Sequence, residues 1–305
     1  MVAHWTDLFS FVGGAVRSRE LTYLALVNDE MAATKTDHSY FSQWYKGVWG
    51  KVIDGSSAWT TCDVTVCQHP LHQCIFLGLN GEVLCVGSGD LHEETIREGK
   101  PDSPENRGMM RGLATIDGKA YAVGMQRQVY RRDGANTWTC IDALARPAQR
   151  DETVYSFEGI GGFSAKEIYA AGRRGEIWRY DGTAWTQQDS PTNVILTRVC
   201  CAGDGNVYIC GRAGTLIRGQ RDRWDVIDHF ATKDDFWGIS WYNDHLYVST
   251  MNDVYRLEGD KLMRLDFGED KPSSFLTLSA ADGVLWSIGP KDVMSFDGKA
   301  WTRID

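Results

Sequence analysis

The sequence predicts an all-β fold, a seven-bladed β-propeller of four-stranded antiparallel blades, forming a single domain over residues 1–305. Three observations predict it. A template of about 39 residues repeats along the chain, as expected when four-stranded units too small to bury both faces alone stack around a ring. The composition is turn-rich and aromatic-rich, with 12 Trp, 12 Tyr and 32 Gly against 7 Pro. Asp-Gly pairs, which favour tight hairpins, recur within the template.

Five segments follow the template most clearly, and two markers keep step through them. The first marker is an aromatic residue in an apolar run, at Tyr121, Tyr169, Tyr208, Tyr247 and Trp286, with spacings of 48, 39, 39 and 39 residues. The second is a late hydrophobic anchor, at Trp138, Trp185, Trp224, Leu262 and Trp301. Chance rarely registers two markers, so these segments predict five blades.

Two segments nearer the N-terminus extend the series. The run "GEVLCVGSG" at 81–89 supplies another first run. The run "DGSSAWTTCD" at 54–63 supplies another closing run, 79 residues or about two periods before Trp138. The chain therefore contains about seven units.

Within a unit, four strands follow one another from the inside of the ring outwards, and we name them a, b, c and d. In the unit of residues 152–188, "ETVYSFEGIGGF" is predicted to form strand a, "EIYAAG" strand b, "EIWRY" strand c and "AWTQQ" strand d. Asp-Gly at 133–134, 181–182 and 297–298 predicts hairpins, since Gly accepts a positive φ. Trp185 and its equivalents are therefore expected on outer strands, packed between blades.

The net charge and the N-terminal sequence limit the expected partners and location of the protein. A formal net charge of −9 argues against direct binding of nucleic acid or of an anionic membrane and favours a basic partner. No stretch is apolar enough to span a membrane, and Asp7 interrupts the run that a signal peptide requires. The eight cysteines fall in apolar runs such as "NVYICG", where reduced thiols pack well. We therefore expect a cytoplasmic protein.

Residues 50–305 resemble a broad class of bacterial β-propellers whose repeats read VYAVG-x-x-G-x-I-x-R-Y-D-G-x-x-W. They are similar to the propellers classed loosely as WD-repeat-like or photosystem-assembly propellers. True WD repeats fit less well, since Trp-Asp occurs only at 224–225, and kelch repeats require a recurring Gly-Gly that is found only at 13–14 and 161–162. The resemblance implies a ring whose loops bind. Some proteins of this type are encoded beside secreted bacterial toxins and act as their immunity partners.

The b–c turns carry the first candidate binding residues. The turns "GMQRQ", "GRRGE" and "GRAGT" place Arg127, Arg173, Arg174 and Arg212 on the face of the ring that also carries the d–a connections. Arginine binds carboxylates bidentately and anchors interfaces well. The alternative is that these arginines are turn residues paired with nearby acids.

A d–a connection carries the second candidate group on the same face. The run "HFATKDDFWGISW" places the acids Asp234 and Asp235 beside Trp237. An apolar anchor ringed by charge is typical of a protein-binding rim. The alternative is that Trp237 and Trp241 belong to the core at the start of strand a.

Two irregular segments interrupt the template early in the chain. Residues 30–55 insert Tyr40, Phe41, Trp44 and Tyr45 where other units have a short turn, and such insertions often carry binding residues. The alternative is a plug or cover that helps to close the ring, because no strand exchange between the termini is evident. The charged run at 90–108 predicts a poorly formed outer edge of the second blade.

Metal and catalytic motifs are weak. The segment "CQHPLHQC" at 67–74 holds good zinc ligand types, but its spacing fits no standard structural site, so a reduced, metal-free loop is expected. No nucleophile elbow, zinc-protease motif or phosphate loop is present, and no cofactor is predicted.

The sequence therefore predicts a non-enzymatic protein-binding propeller, most concretely an immunity protein that caps a cationic toxin domain, where complementary charge would speed encounter. The alternatives are a propeller hydrolase or lyase, or a glycan-binding lectin, acting at the central pore.

Overall fold

The computed structural model describes residues 5–148 and 155–305 and contains seven four-stranded antiparallel sheets arranged as the blades of a ring. Every blade is built from four consecutive strands. Blade one contains β1 (Phe9–Ser18), β2 (Leu21–Asn28), β3 (Tyr40–Tyr45) and β4 (Val48–Lys51). Blade two contains β5 (Thr61–Cys67), β6 (Gln73–Gly78), β7 (Glu82–Gly87) and β8 (Asp90–Thr95). Blade three contains β9 (Met110–Ile116), β10 (Lys119–Gly124), β11 (Gln128–Gly134) and β12 (Thr137–Cys140).

The remaining four blades follow the same order. Blade four contains β13 (Phe157–Ser164), β14 (Glu167–Gly172), β15 (Ile177–Tyr180) and β16 (Trp185–Gln188). Blade five contains β17 (Leu196–Cys201), β18 (Val207–Gly211), β19 (Leu216–Gln220) and β20 (Arg223–Val226). Blade six contains β21 (Gly238–Tyr242), β22 (His245–Ser249), β23 (Val254–Glu258) and β24 (Lys261–Arg264). Blade seven contains β25 (Thr277–Ala281), β26 (Val284–Ile288), β27 (Val293–Phe296) and β28 (Trp301–Arg303).

Helical structure is confined to connections. Two short α-helices, α1 (Asp29–Ala33) and α2 (Pro104–Arg107), and the 3₁₀ turn Arg173–Gly175 join strands of the described blades, and a further 3₁₀ turn, Trp5–Asp7, precedes β1. In the described part of the chain, no helix is both long and apolar enough to cross a membrane. The all-β, seven-bladed prediction is confirmed.

The core lies between blades, and the sequence pattern shows why. The b strands Gln73–Gly78, Val207–Gly211 and Val284–Ile288 are buried along their whole length, because a neighbouring blade covers each side. Such strands read as continuous apolar runs rather than as alternating ones. The repeated tryptophan lies on strand d: Trp185 packs 5.9 Å from Phe157 and donates to the carbonyl of Ile141 in blade three. Its predicted place between blades is confirmed.

The first two blades differ from the sequence prediction. The run at 81–89 was expected to be strand b, but Glu82–Gly87 is strand c, and strand b is Gln73–Gly78. Both are apolar runs ending in Gly, so the template does not separate them. Trp59 lies in the connection between β4 and β5 and packs 5.3 Å from Phe41, so the run at 54–63 is not a closing strand.

The expected insertion at 30–55 also needs correction. Residues 40–51 form strands c and d of blade one, and only the b–c connection, which includes α1, is longer than in other blades. That long connection displaces the two strands from their expected places in the repeat. The charged run at 90–108 likewise contains a regular strand d, β8. The predicted strand a at 152–163 begins in residues outside the described ranges, and its described part is Phe157–Ser164.

The ring closes by contact between two finished blades. Lys291 of blade seven donates to Asp29 Oδ2 at 2.5 Å and to the carbonyls of Thr6 and Phe9. The ring of Trp44 in blade one meets that of Trp286 in blade seven edge to face, 5.4 Å between centroids. The backbone N–H of Phe11 also donates to the carbonyl of Pro290 at 2.9 Å, so closure depends on contacts between the two blades rather than on a strand shared between the ends of the chain.

Candidate protein-binding site

The strand order fixes which residues share a face of the ring. Because the strands of a blade alternate in direction, all b–c turns and d–a connections lie on one side, which we call the upper face, and all a–b and c–d turns lie on the lower face. Strand a of each blade lines a central channel. The candidate residues are therefore sorted by the connection that carries them.

Arg127 belongs to a b–c turn of the upper face but is held within the protein. It lies in a left-handed conformation, φ 53°, and its guanidinium approaches Glu176 Oε2 at 2.7 Å. The same group stacks over Tyr155 and Trp178, 4.5 and 4.7 Å from their ring centroids. Arg127 therefore joins the b–c turns of blades three and four, which is the paired-turn alternative.

The neighbouring turn separates its two arginines. Arg173 donates from Nε to Glu158 Oε1 at 3.0 Å, beside the mouth of the channel. Arg174 is exposed, with a φ of 62° that turns the chain sharply before Gly175. A Cβ on Gly175 would lie 2.1 Å from the carbonyl oxygen of Thr192, so this turn requires glycine. Arg174 is thus the arginine of this turn that solvent reaches.

The acidic connection lies beside the b–c turn of blade five. Arg212 Nε is 3.7 Å from Asp235 Oδ2, and both side chains are at least one-third exposed. Asp235 also accepts from the backbone N–H of Ala213 at 2.8 Å, and Asp234 accepts from Asn252 at 3.4 Å. The two predicted groups therefore meet at Arg212 and Asp235, and this pair offsets one of the two acidic charges of the connection.

The aromatic residue next to these acids is only half-buried. Trp237 is partly exposed and donates its backbone N–H to the carbonyl of Ser249 at 2.9 Å. Phe236, one residue earlier, is fully buried and supplies the hydrophobic anchor of the connection. Trp237 therefore remains a candidate contact residue at the rim of the acidic connection.

The aromatic candidates of blade one do not lie together. Phe41 is 3% exposed and packs between Trp59 and Phe76, so the structure corrects its prediction as a contact residue. β3 runs from the upper to the lower face, which places half-buried Tyr40 at the upper end and exposed Tyr45 at the lower end. Trp44 packs against blade seven.

Tyr40 lines an apolar groove at the upper edge of blade one. The groove has a volume of about 470 Å³, and its other lining residues include Phe9, Leu26, Trp49 and Ile53. The rings of Phe9 and Tyr40 meet edge to face at 5.0 Å. Tyr40 is thus the predicted aromatic contact best placed for a partner bound to the upper face.

The central channel has a polar mouth crossed by an ion pair. Its volume is about 380 Å³. Arg198 of blade five reaches Asp63 of blade two across the channel, 2.9 Å from Nη1 to Oδ2. Glu158 stands between Arg173 at 3.0 Å and Arg111 at 3.9 Å. At this mouth both Asp63 and Glu158 are therefore paired with arginine, which disfavours a free acid–base pair for catalysis.

Within the predicted metal-free loop at 67–74, the cysteines lie in the core and His72 lies at the surface. Cys67 and Cys74 are buried in strands β5 and β6, whereas His72 is exposed at the lower end of the channel. Burial raises the pKa of both thiols. These cysteines therefore serve the hydrophobic packing of blade two.

Within the described ranges, a different set could hold a metal by geometry. Potential ligand atoms of Cys85, His92 and Glu94 lie within 4.8 Å of one another. Glu94 is, however, already bonded: Arg132 donates to it at 2.6 Å and Trp138 at 2.9 Å. A cation would have to displace a buried guanidinium, so this set fits an ion-pair network better than a metal site.

The acids that pair with Arg127 and Arg173 were not among the residues predicted from the sequence. Glu176 is 6% exposed and Glu158 is half-buried, and neither was singled out. Glu176 ends the quoted turn "GRRGE", so a charge that follows two arginines in a tight turn was a usable signal. Its pairing with Arg127, which comes from the preceding blade, had no local signal.

Comparisons with known proteins add to the geometry. No protein-family profile matches the chain. The immune protein Tsi7 of Pseudomonas aeruginosa is 49% identical over 307 residues, covering the full length of both chains. Virginiamycin B lyase from Staphylococcus aureus superposes with a TM-score of 0.71 at 10% identity over 94% of each chain. A structure described as YCF48 bound to D1 peptide superposes with a TM-score of 0.64 at 13% sequence identity, over 94% of this chain and 91% of that one. These two likenesses show the fold alone.

Proposed function

The chain belongs to the family of the immune protein Tsi7, and on that premise we propose that it is an immunity protein that binds and neutralises a basic toxin in the cytoplasm. The observation that carries the proposal is the 49% identity along both full chains. The match spans every blade together with its connecting turns, which is where a propeller presents its binding residues.

The charge of the chain supports a basic partner. A net charge of −9 raises the local concentration of a cationic protein and speeds its encounter, an advantage for an inhibitor that must act before its target does. On the upper face, Asp234 and Asp235 supply exposed or half-exposed carboxylates, and Arg174 and Arg212 supply fixed charges for register. We propose this face as the contact surface, with Trp237 and Tyr40 as its aromatic contacts.

We propose that neutralisation requires binding and no catalysis. Support comes from the channel mouth, where the carboxylates are already paired. Arg198 pairs with Asp63, and Arg111 and Arg173 pair with Glu158. A stoichiometric inhibitor needs only to cover the working surface of its target.

The cysteines support the cytoplasmic location. All eight are free thiols, and burial raises the pKa of Cys210 to about 11 and that of Cys200 to about 12. Buried neutral thiols act as small apolar side chains, which suits a reducing compartment.

The test is capture followed by protection. The tagged chain is purified from its native host at low and at high salt, and any stoichiometric co-eluting protein is identified by mass spectrometry. That protein is then expressed in a second bacterium with and without the chain. We expect it to be basic and to stop growth only when the chain is absent. If the captured protein is harmless alone, or equally toxic in the presence of the chain, the immunity proposal is wrong.

A further inference from the structure

A polar pocket on the upper face lies between blades three and four. It has a volume of about 580 Å³, and its walls come from the b–c turns of both blades and from the end of strand β16. Glu176 forms its buried wall, and Arg174, Gln188 and Asp189 lie around its opening. Of the contact residues proposed above, Arg174 alone lines this cavity.

The two carboxylate oxygens of Glu176 differ in their hydrogen bonding. Oε2 accepts from Arg127 Nε at 2.8 Å and from the indole N–H of Trp178 at 3.2 Å. Oε1 is buried and has no hydrogen-bond partner among the described residues, in keeping with the 6% exposure of the residue. An unpaired buried carboxylate oxygen is costly, and a donor that reached it would recover that free energy.

The surroundings fit a positive donor. Burial raises the pKa of Glu176, with the nearby Arg127 acting against that rise, so a second cation would favour its charged form. Asp189 is exposed at the rim of the same pocket, where its negative charge offsets the positive charge of Arg174 at the opening.

We propose that this pocket receives a lysine side chain of the toxin, whose ammonium donates to Glu176 Oε1. Lysine fits better than arginine because Arg127 and Trp178 occupy the other oxygen, so the bidentate fork that favours a guanidinium cannot form. A compact ammonium needs only one acceptor from the carboxylate and can reach the amide oxygen of Gln188 or the carboxylate of Asp189 with its other donors. This inference rests on the proposed function for the identity of its donor.

The pocket is tested first without the toxin. The ¹⁵N-labelled full-length chain is titrated with N-acetyl-lysine amide, and the indole N–H signal of Trp178, assigned by its loss in Trp178→Phe, reports occupancy. We expect a saturable shift, about tenfold weaker binding in Glu176→Gln and about twofold weaker binding in Asp189→Asn. Asp260→Asn on the lower face removes the same charge and is expected to change nothing.

The neutral probe N-acetyl-norleucine amide and the probe N-acetyl-arginine amide complete the test. A shift of equal size with the neutral probe, or unchanged lysine binding in both Glu176→Gln and Asp189→Asn, would overturn the pocket. Tighter binding of the arginine probe would overturn the single-acceptor geometry.

The captured toxin then separates the two proposals. If wild-type chain binds it while Glu176→Gln and Asp189→Asn bind equally well, the pocket is wrong and the immunity function stands. If wild-type chain captures no toxin while the lysine probe still binds, the immunity function is wrong and the pocket stands as a cation site.

Discussion

Removal of the Glu94 carboxylate is expected to destabilise the ring strongly without touching the proposed binding face. Glu94 on β8 and Arg132 on β11 join the outer parts of blades two and three, and both side chains are fully buried. Arg132 donates to Glu94 at 2.6 Å, and the backbone N–H of Asn136 and the indole of Trp138 donate at 2.9 Å each. The variant Glu94→Gln keeps the shape of the side chain and leaves a buried guanidinium without its counter-charge.

The magnitude follows from the pKa of Glu94. Burial acts to raise it, but the hydrogen bonds from Arg132, Asn136 and His92 outweigh burial and lower it from 4.5 to about 2. Each pKa unit corresponds to about 1.4 kcal/mol, so the folded state gains about 3 kcal/mol from the charged form. A loss of this size agrees with the roughly 3–5 kcal/mol expected when one partner of a buried ion pair is removed.

The sign of the pH dependence is fixed by the direction of the shift. A lowered folded-state pKa gives a contribution that is fully present above pH 4.5 and is lost as the pH falls towards 2. Urea unfolding followed by tryptophan fluorescence at pH 7 should show the full deficit of Glu94→Gln, and the gap from wild type should narrow progressively below pH 4.5. Replacing both partners, Glu94→Gln with Arg132→Met, should recover most of the loss.

A deficit below about 1 kcal/mol at pH 7 would refute this reasoning, since it would mean that Arg132 finds other partners or water at no cost. A deficit that does not change with pH would refute it as well. Because the pair lies at the outer edge of the ring, toxin affinity of the folded variant should equal that of wild type.

Three further outcomes follow from the described contacts. Lys291→Met removes the donor that joins blade seven to Asp29 and to two backbone carbonyls of the N-terminal segment. Urea unfolding should therefore show a free energy of unfolding lower by about 1–2 kcal/mol, and the exposed control Lys299→Met should not show this loss. Charge reversal of Asp234 and Asp235 to Lys should slow toxin association about tenfold at low salt and much less at high salt, as measured by stopped flow; unchanged rates would place the contact elsewhere. Tyr40→Ala should weaken toxin binding in calorimetry and Tyr45→Ala should not, because the two side chains lie at opposite faces; the reverse result would move the interface to the lower face.

The repeat could be predicted because blades three to seven share the same two hydrophobic anchors, one on strand b and one on strand d. A strand b buried on both sides must be an apolar run, and a strand d tryptophan such as Trp224 must cover the joint with the preceding blade, where it packs 5.7 Å from Tyr169. Both demands act on residues close together in sequence. Strand d of blade two was not predicted because it is polar and contains Glu94. The burial of Glu94 becomes favourable only once Arg132 of the next blade faces it.

The binding surface was harder to predict for a related reason. Local sequence places Arg127 in a turn of the upper face, but the partner that removes it from solvent, Glu176, comes from another blade. The pair of Arg198 and Asp63 spans 135 positions of sequence and forms only because the ring sets blades two and five across the channel. Its place in a turn and its charge marked Arg127 as a candidate, whereas the partners of Arg127 and of Arg198 are set by the packing of blades that are distant in sequence.

The closure of the ring has a consequence for the order in which the protein is made. A ring sealed by a shared strand would keep one blade incomplete until the last residues were synthesised. Here each blade uses only consecutive strands, so its strands can pair as soon as they leave the ribosome, and the preceding blade offers a surface that covers one of its two faces. The final event is then the meeting of two complete blades, with Trp44 settling on Trp286. An inhibitor assembled in this stepwise manner spends little time as an exposed fragment, a useful property when its target must be met early.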